Sequence, residues 1–164
     1  MKSLCACILL CFLALTVSCA PTQTVPHSVN FDYDVNVDFS RLKTYDWVSL
    51  PGTLRIDQFN RIRIQDIANN ELDAKGLKIN PRNPDVFVVM YGGQTKAVDM
   101  TAMMDYEVYS VGRLKLAFYD AQSNDEIWWG ETRADLFHYM TTEEKDLEIA
   151  LAVRKILAHF PPGP

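Results

Sequence analysis

The sequence predicts an α+β fold: a two-layer sandwich with a mainly antiparallel or mixed sheet and two amphipathic helices on one face. Three observations predict it. Residues 29 to 39, VNFDYDVNVDF, alternate apolar and polar side chains with period two. Two segments, 57 to 75 and 141 to 160, carry apolar stripes at the helical period. Between them lie β-branched and aromatic runs joined by a hexapeptide of turn residues, DAQSND.

Each element has its own local reason. Val29 to Val35 form the first strand, and the alternation runs on to Phe39. Thr44 to Val48, TYDWV, suits a second, half-buried strand. Leu50-Pro51-Gly52 is a loop. The first helix places Ile64, Ile67, Ala68 and Leu72 on one stripe, with Asp57 as N-cap or first-turn acid and Gly76 as left-handed stop. Phe59 and Ile62 lie off that stripe and are expected to pack at the start of the helix or against a loop. Asn80 to Pro84 is a turn. Asp85 to Tyr91 is a central strand that continues to Val98 with a bulge at Gly92-Gly93. Residues 99 to 105 read as irregular. Tyr106 to Tyr119 is a long strand with an irregularity at Gly112, Asp120 to Asp125 its hairpin turn, and Glu126 to Phe137 the return strand. Thr141 and Glu144 have capping-box spacing. Ile149, Ala152, Val153, Ile156, Leu157 and Phe160 form the last helix's stripe, which Pro161-Pro162 ends.

The N-terminus carries an address rather than an element of the fold. Lys2 precedes twelve apolar residues, Leu4 to Leu15, too few to span a bilayer. Leu15-Thr16-Val17-Ser18-Cys19 reads as a bacterial lipoprotein signal, with Cys19 as the lipid-bearing residue. Residues 1 to 18 are then a signal peptide, 19 to 28 a lipidated tether, and 29 to 164 a single domain expected in the periplasm. Several acyl chains on Cys19 suffice for stable anchoring. Ala20, where an aspartate would favour the inner membrane, points to the outer membrane. Cleavage after Ala20 by ordinary signal peptidase is the rival, disfavoured by Pro21. Of four cysteines, Cys5, Cys7 and Cys11 lie in the removed segment, so the mature chain has no thiol pair to form a disulfide.

Cleavage before Cys19 leaves 146 of 164 residues, enough for one core without metal or disulfide. It also takes the net charge from −5 to −6, since Lys2 is lost. A mildly acidic chain without a basic run argues against nucleic acid or an anionic lipid surface as partner.

The polar row of the first strand poses a question of metal binding. Asp32-x-Asp34-x-Asn36 matches the start of an EF-hand loop, but Val37 stands at the sixth position and Lys43 at the twelfth. On an extended strand, side chains two apart are about 6.6 Å apart. They cannot converge on an ion whose oxygens lie about 2.4 Å away. The row is the wet face of a strand near the sheet edge.

The ordered blocks resemble a known family. They are Asp32-Tyr33-Asp34, Asp38-Phe39-Ser40 and Lys43-Thr44-Tyr45-Asp46-Trp47; Leu72-Asp73-Ala74-Lys75-Gly76-Leu77; and Asn83-Pro84-Asp85-Val86-Phe87-Val88. Then come Gly112-Arg113-Leu114, Phe118-Tyr119-Asp120, Ile127-Trp128-Trp129-Gly130 and Phe160-Pro161-Pro162. Together they resemble DUF4136, bacterial lipoproteins of unknown function, over nearly the whole mature chain. The resemblance implies an α/β periplasmic domain on a lipid tether and brings no catalytic residues. It also implies a turn after the D-x-D block, so that the first strand ends near Val35.

A search of the residues for chemistry yields candidates for binding, and no catalytic set. His27, His138 and His159 have no metal-ligand spacing, and there is no H-E-x-x-H or G-x-S-x-G. Ser110 and Ser123 have no sign of activation. Gly92-Gly93 begins no phosphate-binding pattern. Glu107, Glu126 and Glu131 read as strand-face charges. Met100, Met103 and Met104, with Tyr106 and Tyr109 nearby, are soft ligands suited to Cu(I), a gap-filling apolar loop, or a partner-binding lip. Adjacent residues on a strand face opposite ways. One of Trp128 and Trp129 should therefore enter the core while the other lies on the second face, open to a partner or a glycan or covered by the chain's own residues 99 to 105. The candidate binding residues are thus Met100, Met103, Met104, Tyr106, Trp128 and Trp129. The expected function is a non-enzymatic, lipid-anchored binding domain of the outer membrane that needs no cofactor and meets an envelope protein. A small-ligand or copper carrier using the Met loop, and an envelope hydrolase using strand carboxylates, are the alternatives.

Overall fold

The computed structural model describes residues 28–49, 56–99, 107–136 and 140–163, with the backbone alone at 94–99, 107–111 and 134–136. The strands are β1 (Val29–Tyr33), β2 (Thr44–Val48), β3 (Lys78–Ile79), β4 (Val86–Asp99), β5 (Glu107–Asp120) and β6 (Glu126–Leu136). The helices are α1 (Gln58–Ala74) and α2 (Thr142–Leu157), with a short 3-10 turn at Phe39–Arg41. The strands form one sheet in the order β1-β6-β5-β4-β2-β3. β2 pairs parallel with β4 and β3, and every other pairing is antiparallel. The parallel pair needs a crossover, which α1 supplies. The fold is the expected mixed sheet with two helices.

Both helices cover one face of the sheet. Ile64, Ala68 and Leu72 of α1 and Ala152, Val153, Ile156 and Leu157 of α2 share a core with Tyr45, Val88, Leu116, Phe118 and Trp128. Phe160, just past α2, closes it by stacking on Phe118 at 4.1 Å between ring centroids. Asn69 of α1 ties helix to sheet. Its Oδ1 accepts from the Tyr45 hydroxyl at 2.9 Å and the Trp47 indole N–H at 2.8 Å. Burial, with the charge of Asp73 adding, pushes the Tyr45 phenol up to about 12.

Local signals set the element ends. Asp57 caps α1 through the Asn60 N–H, and Gly76 stops it at φ +87°. Thr141 and Glu144 form the full capping box at α2. Asp120 Oδ1 accepts from the N–H groups of Gln122 and Ser123 at 2.8 Å, closing the β5–β6 turn.

Four expectations are corrected. β1 ends at Tyr33, because the Asp34 side chain accepts the Asn36 N–H at 2.9 Å and turns the chain. The alternation beyond it is not strand. Gly92 and Gly93 form no bulge: β4 and β5 keep register through Gly92↔Leu114, Gly93↔Arg113 and Gln94↔Gly112, so Gly112 is regular too. Gly92 is small because Ile56 packs there; an added Cβ would lie 2.1 Å from Ile56 Cδ1. The one shift lies at Phe118/Tyr119, opposite Ile127. Phe59 and Ile62 do not pack inward; they are 81% and 46% exposed on the outer side of α1. β3 has only two residues, too few to show a period.

Candidate functional site

The second face of the sheet has no helix on it among the described residues. Strand pairing lays out its side chains in rows. Val48, Val89, Ala117, Trp129 and Asp32 lie side by side across five strands. Flanking them are Asp46, Phe87, Tyr119 and Glu126 on one side, and Tyr91, Lys115, Glu131 and Asn30 on the other. Small Ala117 and Val89 are buried beneath larger neighbours, while Phe87, Tyr91, Tyr119 and Trp129 are half-buried. The result is an aromatic and aliphatic patch on the second face of the sheet.

A hydrogen-bonded chain holds the patch. The Tyr119 hydroxyl donates to Glu126 Oε2 at 2.9 Å, and Lys115 Nζ donates to the same oxygen at 3.0 Å. The Tyr91 and Tyr119 hydroxyls lie 2.9 Å apart. Tyr119 has one proton and spends it on Glu126, so Tyr91 donates to Tyr119. Burial raises the Tyr119 pKa, and its bonds to Tyr91 and Glu126 raise it further; the phenol stays protonated. Lys115 Nζ sits 4.9 Å from the Trp129 ring centroid and 5.5 Å from that of Tyr91. One cation therefore bridges two rings and a carboxylate.

The two tryptophans divide as adjacent strand residues must. Trp128 is fully buried on the helical side, and its indole N–H donates to the His159 carbonyl at 3.2 Å. Trp129 lies on the open side. Cys19, His27, Met100, Met103, Met104, Tyr106 and His138 lie outside the described residues. The strand ends that carry 100–106 pair at Asp99↔Glu107, ten residues along β4 from Val89 in the Trp129 row. Ten strand residues span about 33 Å. Lys115 lies over the Trp129 ring, and the expected cover by residues 99 to 105 falls, beyond Asp99, outside the described residues.

Glu126 and Glu131 are both held by cations: Glu126 by Lys115, and Glu131 by Arg113 at 3.5 Å and Arg133 at 3.8 Å. His159 stacks on Phe31 at 4.3 Å between centroids. No group of three or more His, Cys, Asp or Glu residues placed to hold a metal ion occurs among the described residues. Among them, too, no helix is long and apolar enough to cross a membrane. Sequence reasoning missed Lys115, Tyr91 and Tyr119. Their only signal is alternation parity within β4 and β5, which has no meaning until the register between the strands is known.

Comparisons with known proteins bear on fold and family. A PDZ domain protein from Parabacteroides distasonis is similar in structure, with a TM-score of 0.56 and 16% identity over 84% of this chain. The chain spans 37% of that protein's length. The PelC dodecamer from Paraburkholderia phytofirmans is similar at a TM-score of 0.50 and 13% identity, covering 81% of this chain and 96% of that one. At such identities the likeness is one of fold. No curated protein sequence matches the chain. The family described as a domain of unknown function, DUF4136, matches residues 29–162, from the first residue of β1 to the prolines that follow α2. The chain belongs to the DUF4136 family.

Proposed function

We propose that this chain is a lipid-anchored protein of the bacterial outer membrane whose periplasmic domain binds another envelope protein through the open face of its sheet, without catalysing a reaction. The observation that carries this reading is the aromatic patch around Trp129, on a sheet face that no described helix covers. Aromatic residues are enriched in interface cores, and hot spots favour Trp, Tyr and Arg. The Tyr91–Tyr119–Glu126–Lys115 chain fixes the rotamers of the patch, so binding there costs little ordering entropy. The Ser18-Cys19 signal and Ala20 support the anchor and its membrane.

The test is crosslinking of the tagged, full-length chain in living cells, followed by mass spectrometry, with Cys19→Ala and Trp129→Ala beside it. The reading expects one dominant envelope partner, lost with Cys19→Ala and strongly reduced with Trp129→Ala. The fold-related protein from Paraburkholderia phytofirmans is a dodecamer, so a second copy of this chain is one partner the experiment would report. Capture that ignores Trp129→Ala would sink the assignment of the face. No specific capture would sink the function.

A further inference from the structure

The two helices are joined by two ion pairs, Arg63–Asp146 at 2.8 Å and Glu71–Arg154 at 3.2 Å. Each pair links residues 83 apart in sequence. The helices therefore run in the same direction, and both N-termini lie at one end of the helical layer. There a cleft of about 520 Å³ opens between the helices and the sheet. That volume lies in the range of small-molecule sites, about 300–1,000 Å³.

The local sequence explains the space. At this end the helical face of the sheet contributes Gly112 and Thr132 in place of large side chains. Ile64 of α1, Leu114 of β5 and Ile149 and Ala152 of α2 supply apolar walls. The charged groups facing the cleft are mostly committed. Asp57 caps α1 through Asn60, Arg63 holds Asp146 and Asn60, and Glu148 has a partner of its own. Lys145, one turn into α2, is different. Its ammonium makes no ion pair or hydrogen bond among the described residues, yet it stands on the rim of an apolar cleft. The positive ends of both helices add to its field.

We propose that this cleft binds a single-chain amphiphile with an anionic head, its acyl chain against Ile64, Leu114 and Ile149 and its head against Lys145. The complementarity is an apolar floor with one uncommitted cation at its edge. This site lies on the opposite side of the sheet from the Trp129 patch and does not rest on the function proposed for that patch.

The test uses the full chain in bacterial membranes, photolabelled with a diazirine-bearing dodecanoate and with the neutral alcohol of the same chain. Adducts are mapped by mass spectrometry. Dodecanoate adducts are expected on residues 56–64 and 142–152. Lys145→Glu should reduce them roughly fivefold, the scale of reversing one charge at the rim of the cleft, and leave the alcohol's labelling unchanged. Ile149→Trp, which fills the cleft from a half-buried position, should reduce both labels. Half-buried Lys145, on the rim and outside the core, keeps the test decisive should Ile149→Trp not accumulate. Adducts spread over β6, equal labelling by the alcohol, adducts indifferent to Lys145→Glu, or no adducts in the cleft would each overturn the proposal.

Discussion

Trp128 and Trp129 are neighbours in sequence, yet their replacement by alanine should have opposite kinds of consequence. The Trp128 ring packs edge-on against Phe118 at 5.3 Å and Phe160 at 5.2 Å, and it is fully buried. Deleting a buried aromatic of this size costs about 3–5 kcal/mol. That is a large fraction of the roughly 5–15 kcal/mol that holds a domain folded. Trp129 is half-buried, and its specific partner is Lys115. An exposed cation–π contact contributes about 0.5–1 kcal/mol. With some lost apolar area, Trp129→Ala should cost about 1 kcal/mol. Urea unfolding followed by far-ultraviolet circular dichroism reads both. With a slope of about 2 kcal/mol/M, the midpoint should fall by about 2 M for Trp128→Ala and about 0.5 M for Trp129→Ala. Only Trp129→Ala should lose the crosslinked partner while remaining folded. Equal midpoint shifts, or the larger shift at Trp129, would refute the assignment of faces and with it the open patch.

Three further outcomes follow from the packing. Gly130→Ala would set a Cβ 2.7 Å from Trp128 Cη2 and 2.8 Å from Ile156 Cγ2, overpacking the core. It should cost about 1–3 kcal/mol, visible as a lower melting temperature. Asn69→Leu removes the shared acceptor of Tyr45 and Trp47. It should destabilise by about 1–3 kcal/mol, and Tyr45→Phe in the same background should recover part of that loss, because it removes the orphaned hydroxyl. Asp85 Oδ2 accepts the N–H groups of Lys43 and Thr44 at 2.9 and 2.8 Å and the Thr44 hydroxyl at 2.9 Å. The Lys43 backbone bond leads in holding its carboxyl below the usual carboxylate range. A depressed folded pKa gives stability that is present above the unfolded value of about 3.9 and is lost as pH falls through the folded value. Asp85→Ala should therefore be about 2 kcal/mol less stable at neutral pH. Denaturant midpoints should show that gap narrowing below about pH 4; a gap independent of pH would count against the charge.

How much was legible in the sequence depended on how local each signal was. The capping box at Thr141–Glu144, the N-cap at Asp57, the stop at Gly76 and the Asp120 turn are each encoded within a few residues. They stand where the sequence placed them. So do the long strands and the two helical stripes, because burial on one face imposes a period that survives without knowledge of the partner. Where several local readings were compatible, the sequence erred. Asp34 could continue a strand or turn it, and an Asx bond to Asn36 decided for the turn. Gly92 could mark a bulge or a close approach, and Ile56, 36 residues earlier, decided for the close approach.

The sequence by itself determined the two helices, the long strands and their hairpin turn, the single helical face, the family and the rule that only one of two adjacent tryptophans could be buried. Tertiary structure decided which one. The register shift opposite Phe118 leaves Ile127 unpaired, and both Ile127 and Trp128 are then buried in the core while Trp129 stays on the open side. It also decided that Lys115, Tyr91, Tyr119 and Glu126 meet, and that both helix N-termini share one cleft. These are contacts between residues distant in the chain. Strand order, register and helix direction create them, and no window of the sequence contains that information.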